Sequence, residues 1–235
     1  MCRQKPCHSR IKWLGAVVGM TAAAYGVYTG ITWLSYGHAK WLRQGRADLL
    51  LDVFMPNYDV AERHQTEVEA PAGITLSAAA AMNIEKRILI RAIFKGRELL
   101  LRSKPEDTVH PPGLLARCSL LDGAWADLPG REVVLGSVTR PWEPNPVFRA
   151  LPPDEFAAFN EPGYVKIVFT LRADNAGSGN SVFRTETRAI ATDPVSRKKF
   201  RRYWTFLSPG IVAIRRLLVA AVKREAEKLQ FAAAA

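Results

Sequence analysis

The residues best suited to chemistry lie on one short segment in the first half of the chain. Residues 58–69 alternate, so that Val60, Glu62, His64, Thr66 and Val68 share one parity. That period of two predicts a β-strand with Glu62 and His64 on the same face. A histidine facing a cavity can act as a general acid or base near neutral pH, which makes His64 and Glu62 candidate catalytic residues. A hydrogen-bonded histidine at a rim is the alternative.

A second group of candidates lies near the carboxyl end. Phe200, Tyr203, Trp204 and Leu207 recur at three- and four-residue spacing, which predicts one face of a helix. Asp193 and the proline after it suit the N-cap and first position of that helix. Tyr203 is a third catalytic candidate. A packed core is the competing interpretation of the aromatic group.

Other signals exclude several kinds of site. The sequence has no glycine-rich phosphate loop, no HExxH and no GxSxG, so nucleotide, zinc-protease and esterase chemistry have no support. Cys2, Cys7 and Cys118 form neither a metal-ligand spacing nor a disulfide framework. We therefore predict no metal and no cofactor. Arg184, Glu186 and Arg188 share one strand face and predict a solvated charge ladder.

The elements that must position these residues follow from the pattern along the chain. Alternation and turn residues predict strands at 124–128, 132–140, 164–172 and 181–192, joined as hairpins. Short helices are predicted at 74–82 and 88–101, and a loop at 102–113. Three prolines within 141–146 break the sheet, and 208–210 either kink the last helix or cap a second one. The fold class is α+β.

The amino-terminal part predicts a membrane anchor. Residues 13–34 are 22 consecutive residues without a charge, bounded by Trp13 and by Trp33 with Tyr36. At about 1.5 Å per residue this length matches a hydrocarbon core about 30 Å thick. The predicted organisation is a basic N-terminus at 1–12, a transmembrane helix at 13–35, a stalk at 36–57, one domain at 58–230 and a tail at 231–235.

Two alternatives to the anchor remain open, a buried core helix and a cleaved signal peptide. Residues 37–39 weakly resemble a cleavage site, but the apolar run exceeds the 7–15 residues usual for a signal core. The net charge of +11 is concentrated here, with seven Lys/Arg and no acid in residues 1–46 against 26 bases and 22 acids in the rest. We therefore predict no nucleic-acid partner. The charge balance around the span favours a domain on the outer or periplasmic side.

The order of elements resembles that of a known superfamily. Residues 62–71, ending in Glu69-Ala70-Pro71, resemble the first strand of the START and polyketide-cyclase (SRPBCC) superfamily, and residues 183–188 and 200–210 resemble its last strand and closing helix. The likeness spans roughly residues 58–229. It implies a helix-grip fold, a curved antiparallel sheet wrapped around a long C-terminal helix. Members bind lipids, sterols or polyketides, and some are cyclases, but no catalytic signature of a particular member is present.

A sheet closed by one helix suits an apolar cavity with a few polar groups, which is the usual character of a small-molecule site. The predicted lining residues are His64, Thr66, Phe169, Phe183, Thr185, Tyr203, Trp204 and Leu207. We predict a membrane-tethered module that holds a lipid- or polyketide-like molecule between the sheet and the C-terminal helix. A cyclase-like enzyme using the same cavity and a packed interaction domain without ligand are the alternatives.

Overall fold

The computed structural model describes residues 7–38, 49–82, 93, 95–97, 99, 101, 124–128 and 131–234. The helices are α1 (Cys7–Ser35), α2 (Leu49–Phe54), α3 (Ala72–Ala81), α4 (Pro153–Ala158) and α5 (Pro194–Ala234). The strands are β1 (Val60–Val68), β2 (Ala124–Leu128), β3 (Glu132–Thr139), β4 (Val165–Asn175) and β5 (Ser181–Ala191). The predicted helix at 88–101 lies mostly, and the predicted loop at 102–113 wholly, outside the described residues. The α4 helix was not predicted.

The strands form one antiparallel sheet in the order β1-β5-β4-β3-β2. His64 lies opposite Thr185, and Thr66 lies opposite Phe183. Directly opposed residues of an antiparallel pair project to the same face, so these four side chains share one side of the sheet. The alternation predicted from sequence for β1 and β5 is therefore confirmed.

The inner face of the sheet, which carries Val68, Leu171 and Phe183, is covered by α3 and α5. These three residues pack with Leu218 and Val222 of α5 in one apolar cluster. A second cluster at the other end of the sheet joins Val60, Val165 and Ala189 to Phe200 and to Tyr36. Because α5 is anchored at both ends, this antiparallel sheet with its long C-terminal helix is consistent with the predicted helix-grip fold.

The outer face of the sheet is covered by α2 and α4. Leu51, Met55 and Phe156 are buried against Val138 and Val168. Leu51 and Met55 of the predicted stalk thus belong to the core, and Leu50 and Phe54 pack against it. A six-residue helix is too short to show a periodicity that would indicate this from sequence.

Two of the three residues of the β5 charge ladder, Glu186 and Arg188, are buried, so the prediction of a solvated face is wrong for them, and Arg184 is half-buried. Arg188 is 0% exposed, and its guanidinium lies 2.6 Å from Asp52 Oδ1 of α2 and 2.9 Å from Glu186 Oε1. It also donates a hydrogen bond to the carbonyl of Met55. A buried charge requires partners of this kind, and α2 supplies them from more than 130 residues away in sequence.

The α5 helix begins as predicted. The backbone N–H groups of Val195 and Ser196 both donate to Asp193 Oδ1, which satisfies two donors that the first helical turn leaves free. Hydrogen bonds from the Ser196 hydroxyl and from the backbone of Gly163 and Ser196 hold the pKa of the Asp193 carboxyl well below its usual range. The helix then continues through Pro209, so residues 208–210 do not end it.

Among the described residues, length and composition single out α5, and not α1, as a helix able to cross a membrane. The same helix packs onto β1, β5 and α3, however, as the core helix of the domain. The α1 helix instead runs beside α5. Tyr25 donates a hydrogen bond to the carbonyl of Phe206, and the hydroxyls of Tyr28 and Ser208 lie 3.2 Å apart.

Candidate functional site

Two cavities flank α5, on opposite sides of the helix and with different chemistry. We call the first the basic crevice. It lies between α5 and the edge strand β1, has a volume of about 500 Å³, and is lined by His64, Gln65, Thr66, Arg216, Val219, Ala220, Lys223 and Arg224. We call the second the apolar groove. It has a volume of about 460 Å³ and is lined by Tyr25, Ile93, Gly96, Arg97, Pro141, Pro146, Phe148, Tyr203, Phe206, Leu207, Pro209, Gly210, Ile211 and Ile214.

Of the predicted catalytic pair, His64 lines the basic crevice and Glu62 lies beside it on β1 without lining the cavity. His64 Nε2 lies 3.7 Å from Glu62 Oε2, beyond hydrogen-bond distance, and both side chains are partly buried. The Nε2 atom is itself buried, and within the described residues no donor or acceptor reaches it. Such a ring nitrogen can donate a hydrogen bond to a molecule in the crevice or accept one from it.

The surroundings set the protonation of the pair. Burial lowers the pKa of His64, and the positive charges of Arg216 and Arg215 lower it further. Burial raises the pKa of Glu62, and the same two arginines partly offset that rise. His64 is therefore neutral at pH 7, the form in which one ring nitrogen donates and the other accepts.

A polar strip continues from this pair across the inner face of the sheet. Thr185 lies opposite His64, and Thr187 lies opposite Glu62. Both threonine hydroxyls are buried, and no partner for either lies in the part of the chain that the structure describes. Arg215 stacks over the ring of Phe169 at 5.3 Å, between the strip and α5. Neither threonine lines the crevice, so these hydroxyls lie in the contact between the sheet and α5 and not on the cavity wall.

The wall of the crevice formed by α5 is positively charged. Arg216 and Arg224 are exposed there, while Lys223 donates to the carbonyl of Glu67 at 2.8 Å and pairs with Glu227 at 3.0 Å. This cavity suits a polar or anionic group better than an apolar molecule.

The apolar groove is built from four parts of the chain: α1, residues 93, 96 and 97, the segment after β3, and α5. One wall is the middle of α5, and Tyr25 of α1 lies at its edge. The opposite wall is the proline-rich segment after β3, which Arg97 fixes by donating hydrogen bonds to the carbonyls of Pro141, Glu143 and Pro144. Its lining is apolar and aromatic with few polar groups, as in most small-molecule sites.

The structure divides the predicted lining residues among four environments. His64 and Thr66 line the basic crevice, and Tyr203 and Leu207 line the apolar groove. Trp204 packs beside Phe200, with ring centroids 6.0 Å apart, in the apolar cluster at the start of α5. Phe183 is fully buried in the main core, and Phe169 and Thr185 lie on the inner face beneath α5.

Tyr203 does not join the pair formed by His64 and Glu62. It precedes Arg216, which lines the crevice beside His64, by 13 residues of one helix. That separation is about 20 Å along the helix axis. A catalytic group of Glu62, His64 and Tyr203 is therefore not assembled.

Sequence reasoning missed the proline segment as part of a cavity. Pro141 and Pro146 indicate a break in the sheet, and nothing in their spacing indicates which helix they face. Of the α5 residues that line the groove, Phe206 lies off the stripe used for the prediction, whereas Ile211 and Ile214 continue that stripe beyond Leu207.

No family model and no curated protein sequence matches the chain. Solved structures give weak likenesses. CalU16 from Micromonospora echinospora is 12% identical with a TM-score of 0.23, covering 73% of this chain and 86% of CalU16. The Zhui aromatase/cyclase from Streptomyces sp. R1128 is 12% identical with a TM-score of 0.24, covering 72% and 94%. The di-domain ARO/CYC BexL of the BE-7585A pathway is 12% identical with a TM-score of 0.26, covering 72% and 46%. Likenesses at this level carry no argument about activity.

Proposed function

We propose that this chain is a membrane-tethered binding module that holds an apolar small molecule in the apolar groove. The observation that carries the proposal is the groove itself. Its volume of about 460 Å³ lies within the usual range for small-molecule sites, about 300–1,000 Å³. Leu207, Ile211 and Ile214 give it an apolar wall on α5. The sequence predicts a cavity between the sheet and α5. Because apolar clusters occupy both ends of that contact, we propose the groove beside α5 as the binding site instead.

The tether in this proposal is α1, with the span at residues 13–35. Its outward side chains are large, apolar and exposed, with Trp13 71% and Leu34 73% exposed, and Val18, Met20 and Ile31 similar. A contiguous apolar surface of this kind marks a contact with membrane or protein. We assign the span to α1 rather than α5 because α5 is packed onto the sheet. The charge balance around the span favours a domain on the outer or periplasmic side.

The groove and the tether adjoin, which supports a ligand drawn from the bilayer. Tyr25, near the middle of the apolar run of α1, is a lining residue of the groove. Phe206 and Phe148, also lining residues, are exposed, as is the neighbouring Val147. An apolar molecule leaving the bilayer beside α1 meets this surface without crossing water.

The test is native mass spectrometry of the full-length protein purified in a mild detergent, comparing wild type with two variants of α5. Leu207→Trp fills the apolar groove, and Ala220→Trp places the same side chain in the basic crevice. We expect a co-purified apolar molecule in wild type and in Ala220→Trp, and at least tenfold less of it in Leu207→Trp. Loss in Ala220→Trp alone would move the ligand to the crevice. An empty wild-type protein would favour the packed interaction domain.

A second candidate function is a cyclase-like enzyme that uses the basic crevice. It is favoured by one observation, the buried and unpartnered Nε2 of a neutral His64 beside Glu62. A neutral imidazole with a free nitrogen can remove a proton next to a carbonyl. Turnover of a poly-β-keto thioester analogue, followed by absorbance of an aromatic product, tests this. Activity that survives His64→Gln would rule out this role for His64.

A further inference from the structure

We propose that the first two turns of α5 form a binding surface for anionic phospholipid headgroups beside the tether. The surface consists of five cations within six positions, Arg197, Lys198, Lys199, Arg201 and Arg202, with no acid among them. Arg197, Lys198, Lys199 and Arg202 are exposed. This inference rests on the proposed function because it takes α1 as the tether. It adds anionic phospholipid headgroups as a partner, which a tether alone does not imply.

Contacts with α1 set the level of this surface relative to the bilayer. The guanidinium of Arg201 donates to the carbonyl of Trp33 at 3.1 and 2.6 Å, and its carbon lies 4.0 Å from the centre of the Trp33 ring. Trp33 lies at the end of the apolar run, where tryptophan is enriched because the headgroup region suits its amphipathic ring. When the Trp33 end of α1 lies at the interface, Arg201 and the cations beside it lie at headgroup depth, and Phe206, bonded to Tyr25, lies deeper.

The charges of the surface are largely not neutralised within the protein. Asp59 pairs with Arg197 at 2.8 Å, and Asp193 is engaged in capping the helix. For Lys198 and Arg202, no acid within ion-pair distance occurs in the described part of the chain. Lys199 lies 5.7 Å from the ring of Trp142, a second aromatic residue at this level.

These features fit a phosphate-bearing lipid better than a dissolved anion. Each lysine or arginine near an anionic membrane surface is attracted to it, and the attraction fades within a Debye length. A row of cations that protrudes at headgroup depth gains this attraction from many lipids at once. A free phosphate is the competing anion, because Lys198 and Arg202 at i and i+4 lie on one face of the helix and both can reach it.

The experiment uses the full-length protein in neutral detergent micelles, titrated with dioctanoyl phosphatidylglycerol and followed by tryptophan fluorescence. Dioctanoyl phosphatidylcholine and sodium phosphate are titrated in parallel. The test variant is Lys198→Gln with Arg202→Gln. The matched control is Lys228→Gln with Arg131→Gln, which removes one exposed lysine and one exposed arginine far from Trp33.

We expect wild type to bind phosphatidylglycerol in preference to phosphatidylcholine, and the test variant to weaken that binding about tenfold. The control variant should stay within twofold of wild type. Equal weakening by both variants would overturn the inference, because it would show a response to net charge alone. Saturation by free phosphate with the same sensitivity to Lys198 and Arg202 would overturn it in favour of a dissolved anion.

Failure of the tether is measured separately. Carbonate extraction of the full chain from neutral phosphatidylcholine vesicles tests the span of α1, and release would contradict the proposed tether whatever the headgroup titration gives. A chain that resists carbonate but shows no preference for phosphatidylglycerol would overturn the headgroup surface and leave the tether intact.

Discussion

The two cavities beside α5 share a helix and differ in nearly everything else. The apolar groove takes its wall from residues between Tyr203 and Ile214, where the exposed side chains of α5 are apolar. The basic crevice begins at Arg216, only two residues later, and ends at Arg224. Their volumes are similar, at about 460 and 500 Å³. The two cavities therefore differ in chemistry and not in size. The side chains of α5 that line them determine that chemistry, and they change from apolar to basic within one turn.

The largest expected effect tests whether both cavities depend on the packing of α5 against the rest of the domain. Phe200 is 2% exposed and packs against Tyr36, Tyr203 and Trp204. Deleting a buried phenylalanine ring typically costs about 3–5 kcal/mol, so Phe200→Ala should destabilise the domain by that amount. Chemical denaturation of the full chain in detergent measures it. Phe206→Ala, at an exposed position of the same helix, should stay within about 0.5 kcal/mol. Equal effects would mean that α5 is not held at this end.

A smaller effect separates the two sides of α5. Trp204 is half-buried in the apolar cluster at the start of the helix, so Trp204→Ala should cost about 2–3 kcal/mol, less than a fully buried ring. Arg215 stacks over Phe169, and Arg215→Ala should cost about 1 kcal/mol by removing that cation–π contact. Denaturation midpoints rank the two. A larger loss for Arg215 would indicate that the polar side of α5 carries its stability.

The sequence contained enough information for the sheet and its inner face. Alternation placed Thr66 and Phe183 on one side, as their pairing confirms, because the period of a strand is a local property. The sequence did not indicate which elements cover the outer face of the sheet. Arg188 looks solvated in β5 alone, and only Asp52 of α2, distant in sequence, makes it a buried cation. For the same reason the groove was missed, since its walls come from four separated segments.

The smallest predicted effect is a pH dependence that belongs to the crevice and not to the groove. Burial and two arginines hold the pKa of His64 below 6.5 in the folded chain, so the unfolded chain binds the proton first as pH falls. The stability associated with the neutral histidine is therefore complete above pH 6.5 and is lost as pH falls below it. His64→Gln cannot titrate. The stability difference between wild type and His64→Gln should shift against wild type when pH is lowered from 7.5 to 5.

Glu62 supplies a control of opposite sign. Its pKa is raised above 4.5 by burial, so its contribution is complete below pH 4.5 and is lost as pH rises through the folded pKa. Wild type should then lose stability relative to Glu62→Gln as pH rises. Leu207→Ala in the apolar groove should give a difference from wild type that does not change with pH, because no titrating partner is removed. Denaturation curves of the four chains at several pH values decide between these slopes. Parallel pH profiles of stability for wild type and His64→Gln would show that folding does not shift the pKa of His64. The side chain would then be solvated, and the crevice would hold no buried neutral imidazole.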